Sequence, residues 1–247
     1  MSEERIEAVV LAGGEGTRLK SYTAQIPKPL VTLDGMPVLE VVLRRLARFG
    51  FRRVAITLAH GAGLIRANFS DGAHLGLRIS YAEEETPLGT AGPLGSLEGL
   101  AEQFLVLNGD LLTDLDLRRF FQSHLDTSAT LTIAAHERSV PVEFGVIEGE
   151  GGRVSGYVEK PMLRYLVSMG IYAFDRRVLR YVEPGRRLDF PELVLRLLEA
   201  GTGEGEGEVV DVRYYPFDGY WLDIGSEGDY ERARDEFPRL RAGLLGE

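Results

Sequence analysis

The chain contains no cysteine, which excludes disulfides and thiolate metal sites and fits a reducing compartment. Histidine is almost as scarce. His60, His74, His124 and His136 are the whole complement, and none stands in a motif that pairs a nucleophile with a base. No apolar run approaches the roughly 20 residues that a membrane-spanning helix needs. No dense lysine–arginine cluster interrupts the formal net charge of −10, so nucleic acid and anionic lipid are poor partners. The start, "MSEERIEAVV", carries acids where a secretion signal carries basic residues. The cytoplasm is the expected location. What these absences leave is a chain of 247 residues, 44% of them hydrophobic, long enough to build a core without staples. A small anionic substrate stays open to it, because a few cations in one cleft override the net field locally.

The hydrophobic pattern predicts strands alternating with helices. Residues 6–11 are a continuous apolar run ended by glycines, the mark of a buried strand. Val38, Leu39, Val42, Leu46 and Phe49 have helical spacing over 37–49, with Pro37 in a first-turn position and Gly50 as a stop. Strands are expected at 53–59 and 77–82, helices at 62–69 and 90–100, and a buried strand in "FLVLNGD", ending at Asp110. Such alternation implies a parallel sheet with crossover helices. The second half differs: "ATLTIAAH", "VEFGVIEG", "RVSGYVEK" and "YLVSMGIYAF" are strand-like and joined by short turns. Helices resume at 176–181, 190–200 and 226–237, with Asp114 and Asp116 placed to cap the helix after them. "GTGEGEGE" (201–208) reads as a surface turn with nothing to bury. No linker divides the chain.

The stretch "VVLAGGEGTRL" (9–19) places three glycines and an arginine behind the first strand. Two familiar phosphate loops fail here. No lysine follows the glycines as G-x-x-x-x-G-K-S/T requires, and Leu19 occupies the third glycine position of G-x-G-x-x-G. The remaining reading is a bare backbone whose N–H groups approach an anion or a base, with Arg18 as a fixed planar charge. In "QIPKPL" (25–30) two prolines bracket Lys28 and fix the backbone on both sides. Together, Gly14, Gly16, Thr17, Arg18 and Leu19, then Pro27, Lys28, Pro29 and Leu30, resemble the signature of the sugar-1-phosphate nucleotidylyltransferases. The resemblance continues in family order through "EEETPLGTAGPL" (83–94), "VLNGD" (106–110), "EFGVIE" (143–148), "YVEKP" (157–161), "VSMGIYAF" (167–174) and "YWLDIGSEGDY" (220–230). Nothing after about Glu236 corresponds to the carboxy-terminal β-helix of some relatives.

The resemblance implies an α/β fold: a Rossmann-like, mixed, mostly parallel central sheet flanked by helices (glycosyltransferase-A-like), with a small additional β region. It implies one domain, with a nucleotide-binding half (1–110), a sugar-binding half (111–237) and a tail (238–247). The reaction implied joins a nucleoside triphosphate to a sugar 1-phosphate and releases pyrophosphate. The nucleophile is already ionised, so positioning and charge neutralisation suffice. Arg18 is expected on the triphosphate, Lys28 at the α-phosphate and Lys160 on the sugar phosphate. Asp110 and Asp223 are expected to hold Mg2+ or Mn2+, which favour oxygen ligands. The nucleotide would lie against Leu11, Ala12, Gly13, Gly14, Gly16, Thr17, Glu85, Pro87, Gly89, Thr90, Asn108 and Gly109. The sugar would meet Gly145, Glu159, Ser168 and Tyr172, with Trp221 either beside it or in the core.

The wording of "EEETPLGTAG" and "GYWLDIG" is most similar to the guanylyltransferase branch, which makes GTP the expected nucleotide. Uridylyl or thymidylyl transfer to a hexose 1-phosphate is the alternative. Ser168 stands where a sugar-contacting asparagine is common, and Ser21 where proline is common, so a cyclitol phosphate also stays open as acceptor. A non-catalytic regulatory relative, an oxidoreductase and a cytidylyltransferase on a non-sugar phosphate are the rival classes; retention of Arg18, Lys28, Asp110 and Asp223 argues against the first. A homo-oligomer is compatible with the family.

Overall fold

The computed structural model describes residues 5–14, 26–59, 61–201 and 209–247. Gly16, Thr17, Arg18, Leu19, Ser21, His60 and residues 202–208 lie outside the described residues. The elements run β1 (Ile6–Leu11), β2 (Thr32–Leu33), β3 (Met36–Pro37), α1 (Val38–Arg48), β4 (Arg53–Leu58), α2 (Ala62–Phe69), β5 (Arg78–Glu83), β6 (Leu100–Asn108), β7 (Leu111–Thr113) and α3 (Leu117–Thr127). They continue with β8 (Leu131–Pro141), β9 (Val146–Glu150), β10 (Arg153–Val158), β11 (Met162–Asp175), α4 (Phe190–Gly201), β12 (Val212–Phe217), β13 (Trp221–Asp223) and α5 (Glu227–Leu245). Among the described residues no helix is long and apolar enough to cross a membrane.

Seven strands form one sheet in the order β12-β8-β11-β6-β1-β4-β5. β1 lies between β4 and β6, parallel to both, β5 continues the parallel set, and β12 runs parallel to β8. Only β11 is antiparallel to its neighbours β6 and β8. This is the mixed, mostly parallel sheet expected from the sequence. Its centre is apolar on both faces because side chains alternate sides along a strand. In β1, Ala8 and Val10 enter one core with α1, α2 and α3, whereas Val9 enters the other with α4 and the 3-10 turn Arg176–Tyr181. A third core joins α5 to β7, β13 and the β2–β3 hairpin.

Four local expectations are corrected. No α-helix forms over 90–100; only a short 3-10 turn, Gly92–Ser96, precedes β6. The glycines there are packing positions, since a Cβ on Gly92 would meet the Arg186 carbonyl oxygen at 2.6 Å. The chain after 237 is not a tail, because α5 continues through Pro238 to Leu245. An interior proline costs on the order of 3 kcal/mol. Burial of Phe237 and Leu244 recovers roughly 2–3 kcal/mol for each side chain. Pro37 is extended, with ψ 140, and caps α1 from outside instead of entering its first turn. Asp116 does cap α3, accepting from the Arg119 N–H, while Asp114 turns away to accept from the Tyr220 N–H at 2.7 Å.

Candidate active site

The carboxyl ends of β1, β4 and β6 open into one cavity of about 540 Å³, the place where open α/β sheets bind ligands. Hydrogen bonds set its floor. The Ala12 N–H donates to the Thr57 carbonyl and the Gly109 N–H to that of Leu11, so the chain leaving β1 is held between its neighbours. Gly109 packs tightly here, since a Cβ would lie 3.0 Å from the Leu11 oxygen. Gly13 and Gly14 then bring bare backbone to the wall.

Lys28 begins a 3-10 turn, Lys28–Leu30, between Pro27 and Pro29. Pro27 is wedged against Gly61, whose φ is 72° and whose missing Cβ would strike the proline ring at 2.2 Å. The lysine emerges from a braced stem and its ammonium pairs with the Asp110 carboxylate. Asp110 follows β6. Its carbonyl accepts from the Ile224 N–H at 3.1 Å, and Asp223 lies opposite Leu111 in the β7–β13 ladder. Two aspartates more than a hundred positions apart in sequence therefore reach the same wall. Both offer oxygen donors, the ligand type Mg2+ takes when one or two carboxylates are joined by phosphate oxygens and water, and Lys28 already pairs with one of them. Among the described residues no group of three or more acidic or histidine side chains could hold a metal without such help.

Of the expected site residues, Leu11, Ala12, Gly13, Gly14, Lys28, Pro87, Gly89, Thr90, Asn108, Gly109, Asp110 and Asp223 line this cavity. Gly16, Thr17 and Arg18 are outside the described residues. Glu85 is exposed and away from the wall; its neighbour Glu84 lines it instead. The Glu84 N–H continues the β5 ladder by donating to Leu58, and its carboxylate folds back to accept from the Leu88 N–H at 2.8 Å. Burial raises the Glu84 carboxyl above its ordinary range, and the Leu88 bond opposes that shift.

The expected sugar residues are not part of this wall. Lys160 is exposed, with φ 44°, and Glu159 accepts from the Tyr157 hydroxyl at 3.0 Å on the hairpin arm. Gly145 packs against the same Tyr157. Ser168 sits at an irregularity where β11 gains two residues over β8, and it donates to the Tyr172 hydroxyl at 3.0 Å. Tyr172 is buried and stacked on Phe190 at 4.2 Å. Burial raises its phenol, with the Asp223 charge adding to the rise and the Ser168 bond opposing it. Trp221 is buried too, donating its indole N–H to the Met169 carbonyl at 3.0 Å.

Thr57, Arg187 and Asp189 line the cavity with no motif to mark them, and Gly225 lines it from within "YWLDIGSEGDY". Asp189 lies beside Gly89, and Arg187 shares its carboxylate. "RRLDF" matches no phosphate or base motif, so only the folded chain brings it there.

The sequence matches the nucleotidyl transferase family over residues 7–238. It is 32% identical over 245 residues to the mannose-1-phosphate guanylyltransferase of Mycobacterium tuberculosis, covering 97% of this chain and 66% of that one. The chain thus spans just under two thirds of that relative's length. It is 28% identical over 236 residues to the D-glycero-alpha-D-manno-heptose 1-phosphate guanylyltransferase of Aneurinibacillus thermoaerophilus, covering 94% of this chain and 98% of that one. The crystal structure of HddC from Yersinia pseudotuberculosis complexed with GMP-PN superimposes with a TM-score of 0.69 at 27% identity, covering 94% of this chain and 99% of that one.

Proposed function

The chain belongs to the nucleotidyl transferase family, and from that premise we propose that it transfers GMP from GTP to a sugar 1-phosphate. A phosphate oxygen of the sugar forms a bond to the α-phosphorus. The bond from that phosphorus to the bridging oxygen breaks, and pyrophosphate leaves in line with the attack. No base is needed, because a phosphate monoester is ionised at neutral pH. The work is positioning and charge neutralisation.

One observation carries this reading: a single cavity brings bare glycine backbone, the Lys28 ammonium and two carboxylates together. Lys28 would move from Asp110 to the α-phosphate when nucleotide enters. Asp110 and Asp223 would then hold Mg2+ or Mn2+, which when bound neutralises phosphate charge as a Lewis acid. Arg18 is assigned to the departing pyrophosphate and Lys160 to the sugar phosphate. The base would rest on Leu11, Ala12, Gly13, Gly14, Pro87, Gly89 and Thr90, with Glu84, in place of Glu85, accepting from guanine N1–H and its amino group. Gly145, Glu159, Ser168 and Tyr172 are assigned to the sugar side. Both halves contribute strands to one sheet, which supports a single catalytic unit.

Pyrophosphate release, measured for each nucleoside triphosphate against a panel of sugar and cyclitol 1-phosphates, tests the reading. Turnover is expected with GTP and a mannose- or heptose-type phosphate, and excess chelator should stop it. No release with any combination would remove the catalytic assignment. UTP or dTTP as the preferred donor would move it to the alternative branch.

A further inference from the structure

The expected site left one cavity cation unused. Arg187 lines the same wall as Glu84, Pro87, Gly89 and Thr90, yet it lies nearly a hundred residues further along the chain. Its place is set by a single carboxylate. Asp189 Oδ1 accepts from the Thr90 N–H at 2.9 Å and from the Thr90 hydroxyl at 3.3 Å, while Oδ2 accepts from Arg187 at 3.1 Å. The Thr90 hydroxyl in turn accepts from the Phe190 N–H at 2.9 Å, and Ala91 and Gly92 both donate to the Leu188 carbonyl. Gly89, at φ 79°, is pressed so closely that a Cβ would lie 2.6 Å from the Leu188 oxygen and 2.7 Å from Asp189. Residues 88–92 and 186–190 therefore form one latched unit. Burial alone would raise the Asp189 carboxyl, but the Thr90 and Arg187 bonds hold it below its ordinary range.

An arginine presents five donors in a planar fork, and its natural partner on a base is the O6 and N7 pair of guanine. A carboxylate is the natural partner of guanine's opposite, donor-bearing edge. Glu84 and Arg187 supply both on one wall. We propose that Arg187 is a specificity-determining residue that reads the O6/N7 edge of the guanine, and that Asp189 is the positioning residue that ties it to the base turn. This rests on the guanylyl-transfer reading above.

The experiment compares GTP, 7-deaza-GTP (which lacks the N7 acceptor) and UTP with wild type, Arg187→Ala and Asp189→Asn, by pyrophosphate release and melting temperature. Arg187 is largely exposed, so the fold is not at stake. Arg187→Ala should lower kcat/KM for GTP about tenfold, the scale of one bidentate contact, through KM with kcat kept. Wild type should lose a similar factor on 7-deaza-GTP, and Arg187→Ala should lose little more on that analogue. Asp189→Asn keeps an acceptor for Thr90 but drops the ion pair, so a smaller GTP-specific loss is expected. Equal losses on GTP and 7-deaza-GTP in Arg187→Ala would place the guanidinium on phosphate or ribose and overturn the proposal. So would GTP kinetics within twofold of wild type. A wild type that prefers UTP would sink the guanylyl reading itself, a different and separately visible result.

Discussion

At the base turn, Gly89 is so tightly packed that even a methyl group would collide with the Leu188 backbone. On the arm built from the outer parts of β8 and β11 and the β9–β10 hairpin, Phe144 is 78% exposed, Val154 67% and Ile147 62%. The first region is held by backbone bonds, glycine contacts and the half-exposed Asp189 carboxylate. The second consists of two-stranded segments with little behind them, and such elements are marginal alone. The end proposed to take the nucleotide is thus preorganised, while Gly145, Glu159 and Lys160, the residues proposed for the sugar phosphate, ride on an element with few buried contacts. Low contact density marks the segments that open most readily. Binding order follows as an expectation: nucleotide meets a formed wall, and the arm closes over the acceptor.

The most damaging way to break this contrast is at the cavity wall itself. Asp223→Asn should cut turnover about 100- to 1,000-fold, the range for losing one preorganised charge-stabilising group. Its melting temperature should stay near wild type, checked by pyrophosphate release and calorimetry. Next comes acid stability at the other end of the sheet, where β6 begins. His124 is fully buried between Gln103 and Thr132. Because the Gln103 amide nitrogen donates to Asp175, its oxygen faces His124, so Nε2 donates and Nδ1 accepts from the Thr132 hydroxyl. Burial lowers this imidazole to about 4. The unfolded chain therefore binds the extra proton first, and stability falls as pH drops from about 6.5 to about 4. The loss amounts to about 3 kcal/mol. Denaturant midpoints across that window should show the slope, and His124→Gln should flatten it.

A smaller effect sharpens the arm's role. Lys160→Ala should raise KM for the sugar 1-phosphate roughly tenfold, the low end for a hydrogen bond to a charged group. Nucleotide KM and melting temperature should not move. Equal changes in both KM values would place Lys160 on the nucleotide instead. The least effect is expected for Phe144→Ser, whose stability change should stay within about 0.5 kcal/mol, as for other exposed positions. A large loss of stability there would mean the arm is covered in solution.

Much of the architecture was legible beforehand because burial on both faces leaves a continuous apolar run, as in β1, and an amphipathic helix leaves its own period, as in α1. The 90–100 segment misled because its apolar residues suit a helix, while Gly92 and Gly95 are spaced for backbone contact with 182–188. Lys28 could be singled out locally, since its flanking prolines announce a fixed stem. A further signal strengthens it: the chain has only three lysines, Lys20, Lys28 and Lys160, and otherwise uses arginine. Glu84 and Glu85 could not be separated, because three consecutive acids carry no sign of which one turns inward. Arg187 and Asp189 left no local trace.

The sequence by itself determined the α/β alternation, the absence of disulfides and the glycine, lysine and aspartate positions that resemble a nucleotidyl transferase. Only the tertiary structure decided that Glu84 faces the cavity, that Asp110 and Asp223 share its wall, and that Asp189 ties Arg187 to the base turn. The reason is physical. Periodicity and turn chemistry are properties of neighbours along the chain, whereas a carboxylate's partner a hundred residues away is chosen by how the sheet and its helices pack.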